Sequence, residues 1–129
     1  MVTYGYTILY VSDVAQIVAF YVAAFGFTQK MITPEGDYAE LETGGTTLAF
    51  AAYSVAQYNG IDIAHTDPAT LPPPCEIVFV TDNIEETFAQ TVRAGATVVT
   101  EPVQKPWGQM VGYVRDVNGF LVEVCTKVE

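Results

Sequence analysis

The chain is poor in the residues that most catalytic chemistry needs. It has one histidine, His65, and two cysteines, Cys75 and Cys125. A single histidine in a Pro- and Gly-rich stretch fits no Ser-His-Asp arrangement. Two cysteines are too few for a disulfide framework, so they are expected as reduced thiols of a cytoplasmic protein. Basic residues are scarce as well: five Lys and Arg stand against fifteen Asp and Glu, a formal net charge of −10. So acidic a surface repels phosphates and argues against nucleic acid as a partner. It permits attraction of a cationic small molecule, and it equally serves plain solubility. No apolar run reaches the roughly 18 residues of a membrane helix, so no membrane partner is expected. The start lacks a basic segment and cleavage site, and no signal peptide is expected. Nucleophile-elbow, Walker and dinucleotide-binding glycine patterns are missing too.

What is there is a repeat. Ile8-Leu9-Tyr10-Val11-Ser12-Asp13 is echoed by Ile77-Val78-Phe79-Val80-Thr81-Asp82, and the offset of 69 also carries Gly26 onto Gly95. Two copies of this length suit two supersecondary modules, not a solenoid. At 129 residues a single domain is expected: module one over 1–53, a linker over 54–74 and module two over 75–129. Alternation predicts a strand over 3–11; Asp13 and Gln16 offer a capping box for a helix over 14–25 that stops at Gly26. Strands are expected over 27–32, 37–42 and 46–53. The second half repeats the order: a strand over 75–80, a cap at Asp82 with Glu85, a helix over 84–93, and strands over 97–103, 109–116 and 120–126. Asn118-Gly119 is a hairpin signal. The linker, with Asn59-Gly60, His65 and Pro72-Pro73-Pro74, loses periodicity; it reads either as a plain connector or as a rim over a cavity.

Each half therefore reads as strand, helix, strand, strand, strand. With Lys105-Pro106-Trp107-Gly108 and the ending Asp116-Val117-Asn118-Gly119-Phe120-Leu121-Val122-Glu123, close to D-P-x-G-hydrophobic-x-x-E with Val117 at the proline, the chain resembles the vicinal oxygen chelate superfamily. This is the glyoxalase, bleomycin-resistance and extradiol dioxygenase group. The resemblance implies an α+β fold in which two βαβββ modules, in pseudo-twofold repeat, form a curved mixed sheet. It also implies a homodimer and a divalent metal held by four residues. Those places correspond here to Tyr6 and Cys75, each seven residues before its module's Asp, to Glu123 four residues after Gly119, and to Ala49 four after Gly45. Only Glu123 matches the family's ligand type, and a catalytic site takes about three protein ligands, so no metal is expected. A shift of one residue would bring Glu76 in, at the cost of turning its neighbours to the other face.

Strand alternation groups Tyr6 with Tyr10, Ala49 with Ala51, Cys75 with Phe79, and Glu123 with Cys125. If these share one face, they form an apolar, aromatic cup with an acid at its base. The small Ala49 and Ala51 would leave room, and Trp107 would cover one side. Such a cup suits a planar or amphipathic ligand. Each residue also has a plain reading: the aromatics fill a core, Trp107 packs its own hairpin, Cys75 is a small hydrophobe, and Glu123 pairs with Arg115 or Lys105. The expectation is a metal-independent protein that binds a small molecule, a drug or natural product, as in the bleomycin-resistance branch. The alternative is a lyase, isomerase or dioxygenase working through a divalent metal or through Glu123 as acid and base.

Overall fold

In the computed structural model, which describes residues 1–128, the chain forms eight strands and three helices. They run β1 (Thr7–Val11), α1 (Val14–Phe25), β2 (Thr28–Ile32), β3 (Tyr38–Glu42), β4 (Thr47–Ala52), α2 (Tyr53–Tyr58), β5 (Glu76–Val80), α3 (Ile84–Arg93), β6 (Thr97–Gln104), β7 (Met110–Arg115) and β8 (Leu121–Cys125). The expected pair of βαβββ modules is present. The strands make two four-stranded mixed sheets with the same topology, β1-β4-β3-β2 and β5-β8-β7-β6. In each, the first strand lies parallel to the last and the remaining pairs are antiparallel. The described residues fall into two compact units: Met1–Val22 with Gly26–His65, and Ala23–Phe25 with Thr66 onward.

In the first unit, α1 starts where Asp13 accepts a hydrogen bond from the Gln16 amide at 3.0 Å. It ends at Gly26, whose φ of 72° is the left-handed conformation that a residue without Cβ adopts at no steric cost. The helix is apolar on most of its surface, and Ile17, Phe20 and Tyr21 are buried. Tyr21 stacks on Phe50 of β4, with ring centroids 5.3 Å apart. Phe50 and Leu48 therefore mark the helix-facing side of the first sheet. Alternation sends Ala49 and Ala51 to the opposite face, with their cross-strand partners Ile8, Tyr10, Tyr38 and Glu40.

Two expectations about this unit are corrected. Residues 3–6 lie outside β1, which begins at Thr7. The last strand ends at Ala52 and passes directly into α2, a short helix at the start of the expected linker. Beyond it, the ring of His65 stacks on Tyr53 at 3.7 Å with the planes 2° apart. The linker's first part is thus ordered by a helical turn and an aromatic contact, which a search for amphipathic periodicity over so few residues does not detect.

In the second unit, α3 covers the sheet face that carries Val122, Val124 and Gly112. The space for a Cβ at Gly112 is already taken: Phe88 of α3 would lie 2.8 Å from it. Phe79 is on this same face, paired with Val124, and its ring lies 4.6 Å from that of Phe25. The cap of α3 is Asn83, whose side chain accepts from the Glu86 amide at 3.2 Å, and not Asp82. This one-residue correction matters beyond the helix. Cap to cap, the structural repeat runs from Asp13 to Asn83, an offset of 70 where the echoed motif has 69.

Candidate functional site

The corrected repeat changes which residue occupies each family position. Seven residues before its cap, the first module still has Tyr6, but the second has Glu76 where the echoed Asp pointed to Cys75. The strand pairing agrees. Glu123 lies opposite Val78, one step from the pair Glu76 and Leu121, so Glu76, Val78 and Glu123 share one face. Ile77 and Phe79 lie on the helix side. The expected grouping of Cys75 and Phe79 with Glu123 is therefore corrected, because strand period 2 turns a slip of one residue into a change of face.

On its open face the second sheet carries a compact acidic group. The Tyr113 hydroxyl, on the strand beside Glu123, donates to Glu123 Oε1 at 3.0 Å. Glu76 lies against Glu123; desolvation, then the hydrogen bond and charge of Glu123, raise the Glu76 pKa. Desolvation and Glu123 also push Tyr113 up to about 12. Desolvation is again the leading cause for Cys125, the buried cysteine next along β8, whose thiol is pushed up to about 11. All three shifts favour the protonated form. The expected pairing of Glu123 with a base is not found. Arg115 directs its guanidinium to backbone carbonyls of Gly119 (2.9 Å), Pro68 (3.0 Å), Asp67 (3.1 Å) and Thr70. Lys105 lies in the β6–β7 turn, where its amide bonds to Gln109.

The first sheet presents a different face. Its two small residues leave no room, contrary to expectation: Ala49 and Ala51 are 0% and 1% exposed. They are flanked by the longer side chains of β1 and β3. Tyr38 donates to Glu40 Oε2 at 2.7 Å. Desolvation, reinforced by Glu40 and Tyr6, holds the Tyr38 phenol far above its ordinary range. Glu40, opposite Ala49, also meets Lys30 at 4.0 Å. Tyr10 is half-buried on this face and Tyr6 is exposed.

Trp107 stands 61% exposed in the β6–β7 turn. Its indole N–H donates to Gln109 Oε1 at 2.8 Å, and Gln109 Nε2 in turn donates to the Thr126 carbonyl at 2.8 Å. The structure thus brings Glu123 together with Glu76, Tyr113 and Cys125, and Tyr6 together with Tyr38. Tyr38, Glu40 and Tyr113 were missed in the sequence and Glu76 was weighed only as a shift of one residue, though hairpin arithmetic places two of them. Counting back from the Gly44-Gly45 turn sets Glu40 opposite Ala49 and Tyr38 opposite Ala51; the same count from Asn118-Gly119 would set Tyr113 opposite Val124, and it faces Glu123 because the turn is centred on Asn118, with the Asp116 amide bonded to the Phe120 carbonyl.

A divalent metal does not fit this donor set. The corrected family positions read Tyr6, Ala49, Glu76 and Glu123, which is two carboxylates, a phenol and a methyl group. Metal ligands must be deprotonated, and the neighbouring Tyr113 and Cys125 are biased toward their protonated forms. Among the described residues, no three His, Cys, Asp or Glu side chains gather as a metal site.

A sequence model described as "Glyoxalase/Bleomycin resistance protein/Dioxygenase superfamily" matches residues 3–124. Among solved structures, a glyoxalase-related enzyme from Fulvimarina pelagi superposes with a TM-score of 0.81 at 18% identity, covering 98% of this chain and 89% of that one. A glyoxalase/bleomycin resistance protein/dioxygenase family enzyme from Burkholderia phytofirmans PsJN gives 0.77 at 17% identity, covering 97% and 98%. TioX from Micromonospora sp. ML1 gives 0.74 at 24% identity, covering 96% and 98%. At such identities the likeness concerns the fold. No curated relative matches in sequence.

Proposed function

The chain belongs to the Glyoxalase/Bleomycin resistance protein/Dioxygenase superfamily, and from that premise we propose that it is a metal-independent binding protein for a small amphipathic molecule bearing a cationic nitrogen. One observation carries this reading. Glu123 lies half-buried beside Glu76 and Tyr113, no basic side chain among the described residues meets it, and the same face exposes Val78 and Val80 (47% and 58%). Two carboxyls this close repel each other when both are ionised, and an ammonium or amidinium arriving between them relieves that repulsion. The charge-assisted bond that results is stronger than a neutral one. Apolar parts of the ligand would cover the valines, at about 25 cal/mol per Å² of apolar surface removed from water. The net charge of −10 adds long-range attraction for a cation. Trp107 is a further contact residue in this proposal, and the protein is taken as a homodimer.

The test is native mass spectrometry on protein purified without chelator, followed by titration with any molecule that travels with it. A metal-free dimer with a cationic adduct lost in Glu123→Gln supports the reading. A stoichiometric divalent ion bound through Glu76 and Glu123 sinks it. A second reading draws on the same carboxyl pair: Glu76, whose pKa is raised by desolvation and by Glu123, suits general acid–base catalysis in a lyase or isomerase. Turnover of a co-purified molecule, lost in both Glu76→Gln and Glu123→Gln, would select it.

A further inference from the structure

Leading into β5, the linker forms one wall of an open cleft of about 480 Å³, within the size range of small-molecule sites. The wall consists of Leu71, Pro72, Pro73 and Pro74, and Leu121, Glu76 and the exposed Cys75 also line the cleft. Glu76 pairs with Leu121 across the β5–β8 ladder, and Leu121 is two residues before Glu123 on the same face. The cleft therefore runs onto the carboxyl pair.

The wall is held in place before any ligand arrives. Three consecutive prolines have φ restricted near −65° and form a stiff segment. The Cys75 amide bonds back to the Pro73 carbonyl at 2.8 Å. Just upstream, three guanidinium contacts of Arg115 tie the stretch around Asp67, Pro68 and Thr70 to the β7–β8 hairpin. Those contacts turn the Arg115 guanidinium to backbone carbonyls. Gly119 belongs to the same clamp: a Cβ there would meet Pro68 Cα at 3.0 Å. A preorganised wall spares a ligand the entropy of ordering it. Proline ring faces are the surfaces against which aromatic rings dock in proline-rich recognition.

We propose that this proline-walled cleft is the apolar half of the binding site and takes a planar aromatic ring system whose basic nitrogen reaches Glu76 and Glu123. The inference rests on the reading above, that the open face of the second sheet receives a cationic ligand. It adds the ring and its seat. The prolines and Leu121 cover the ring faces, and the carboxyl pair holds the charged edge.

Cys75 provides a reporter that requires no mutation. It is exposed at the cleft while Cys125 is buried, so iodoacetamide should alkylate Cys75 alone in the native protein. The probe is 9-aminoacridine, a planar cation at pH 7.5, with neutral acridine as its comparison. Binding is read by fluorescence and alkylation by intact mass. At a 9-aminoacridine concentration about ten times its Kd, alkylation of Cys75 should slow roughly tenfold, because about one site in eleven is then free. Leu121→Ala should weaken the probe severalfold, and acridine should bind at least about tenfold more weakly than the cation. If 9-aminoacridine binds and Glu123→Gln abolishes binding, yet Cys75 reacts at an unchanged rate, the cleft assignment is overturned and the carboxyl-pair reading stands. If 9-aminoacridine does not bind, or binds no better than acridine, both are overturned.

Discussion

The two modules share a topology, and each places a tyrosine hydroxyl on a glutamate, yet they treat the acid in opposite ways. In the first sheet Glu40 receives Tyr38 at 2.7 Å and also meets Lys30 at 4.0 Å, over alanines that are fully buried. In the second, Glu123 receives Tyr113 at 3.0 Å and meets another carboxyl, Glu76, beside valines that remain exposed. The first arrangement gives its acid a cation, while Tyr6 and Ile8 stay exposed on the same face. The second has, among the described residues, no basic partner for Glu123, and its valines are more exposed than Ile8. A repeat thus conserves backbone geometry while letting its two halves surround an acid differently, one with a cation and the other with a second carboxyl.

The largest effect that would test this contrast concerns the cores. Phe50→Ala removes the ring on which Tyr21 stacks and should cost about 3–5 kcal/mol, whereas Val124→Ala, a smaller truncation at the matching place in module two, should cost about 1–3 kcal/mol. Chemical denaturation of both variants gives the comparison, and equal losses would mean that the first module's core is no more committed than the second's. Next comes ligand affinity. Glu123→Gln should weaken a cationic ligand at least about tenfold and Glu40→Gln less than about threefold; calorimetry showing the reverse order would move the charged site to the first module.

A smaller effect is expected from the tyrosines. Tyr113→Phe and Tyr38→Phe each delete a hydrogen bond to a carboxylate and should each lower stability by about 1–2 kcal/mol. Only Tyr113→Phe should also alter ligand affinity, which a binding titration of both variants decides. The smallest is a pH effect. Glu76 has its folded-state pKa raised above the ordinary 4.5 by desolvation and by Glu123. The folded state therefore holds this proton more tightly than the unfolded chain. The resulting stabilisation is fully present below about 4.5 and is lost as pH rises through the raised folded-state value. Glu76→Gln should accordingly melt about 1–2 °C higher than the parent at pH 7.5 and no higher at pH 4. Since Glu76 is exposed, solvent screening keeps the effect small. Melting curves with the opposite pH trend would show that Glu76 and Glu123 do not share a proton in the folded state.

Much of the architecture was legible in the chain. The echoed strands, the Asp13 cap, the Gly26 stop and the Asn118-Gly119 turn are local signals, read from residues within a few positions of each other. The helix at Tyr53–Tyr58 escaped because so short a segment has no periodicity of its own. The site was harder. The echo of Asp13 by Asp82 suggested an offset of 69, but Asn83 is the residue that caps α3. Side chains with nearly equal capping power compete at adjacent positions, and local sequence does not decide between them. That single choice moved the family position from Cys75 to Glu76.

By itself the chain determined its modules, its fold family and the scarcity of metal ligands, because these follow from local pattern and composition. Only tertiary structure decided that Glu76 meets Glu123, that Lys30 accompanies Glu40, and that Arg115 secures the linker upstream of the proline wall. Each of these depends on strand register and on long-range contacts between segments far apart in sequence. A shift of one residue in a strand reverses which side chains share a face, and no local preference is strong enough to set that register before the sheet has formed.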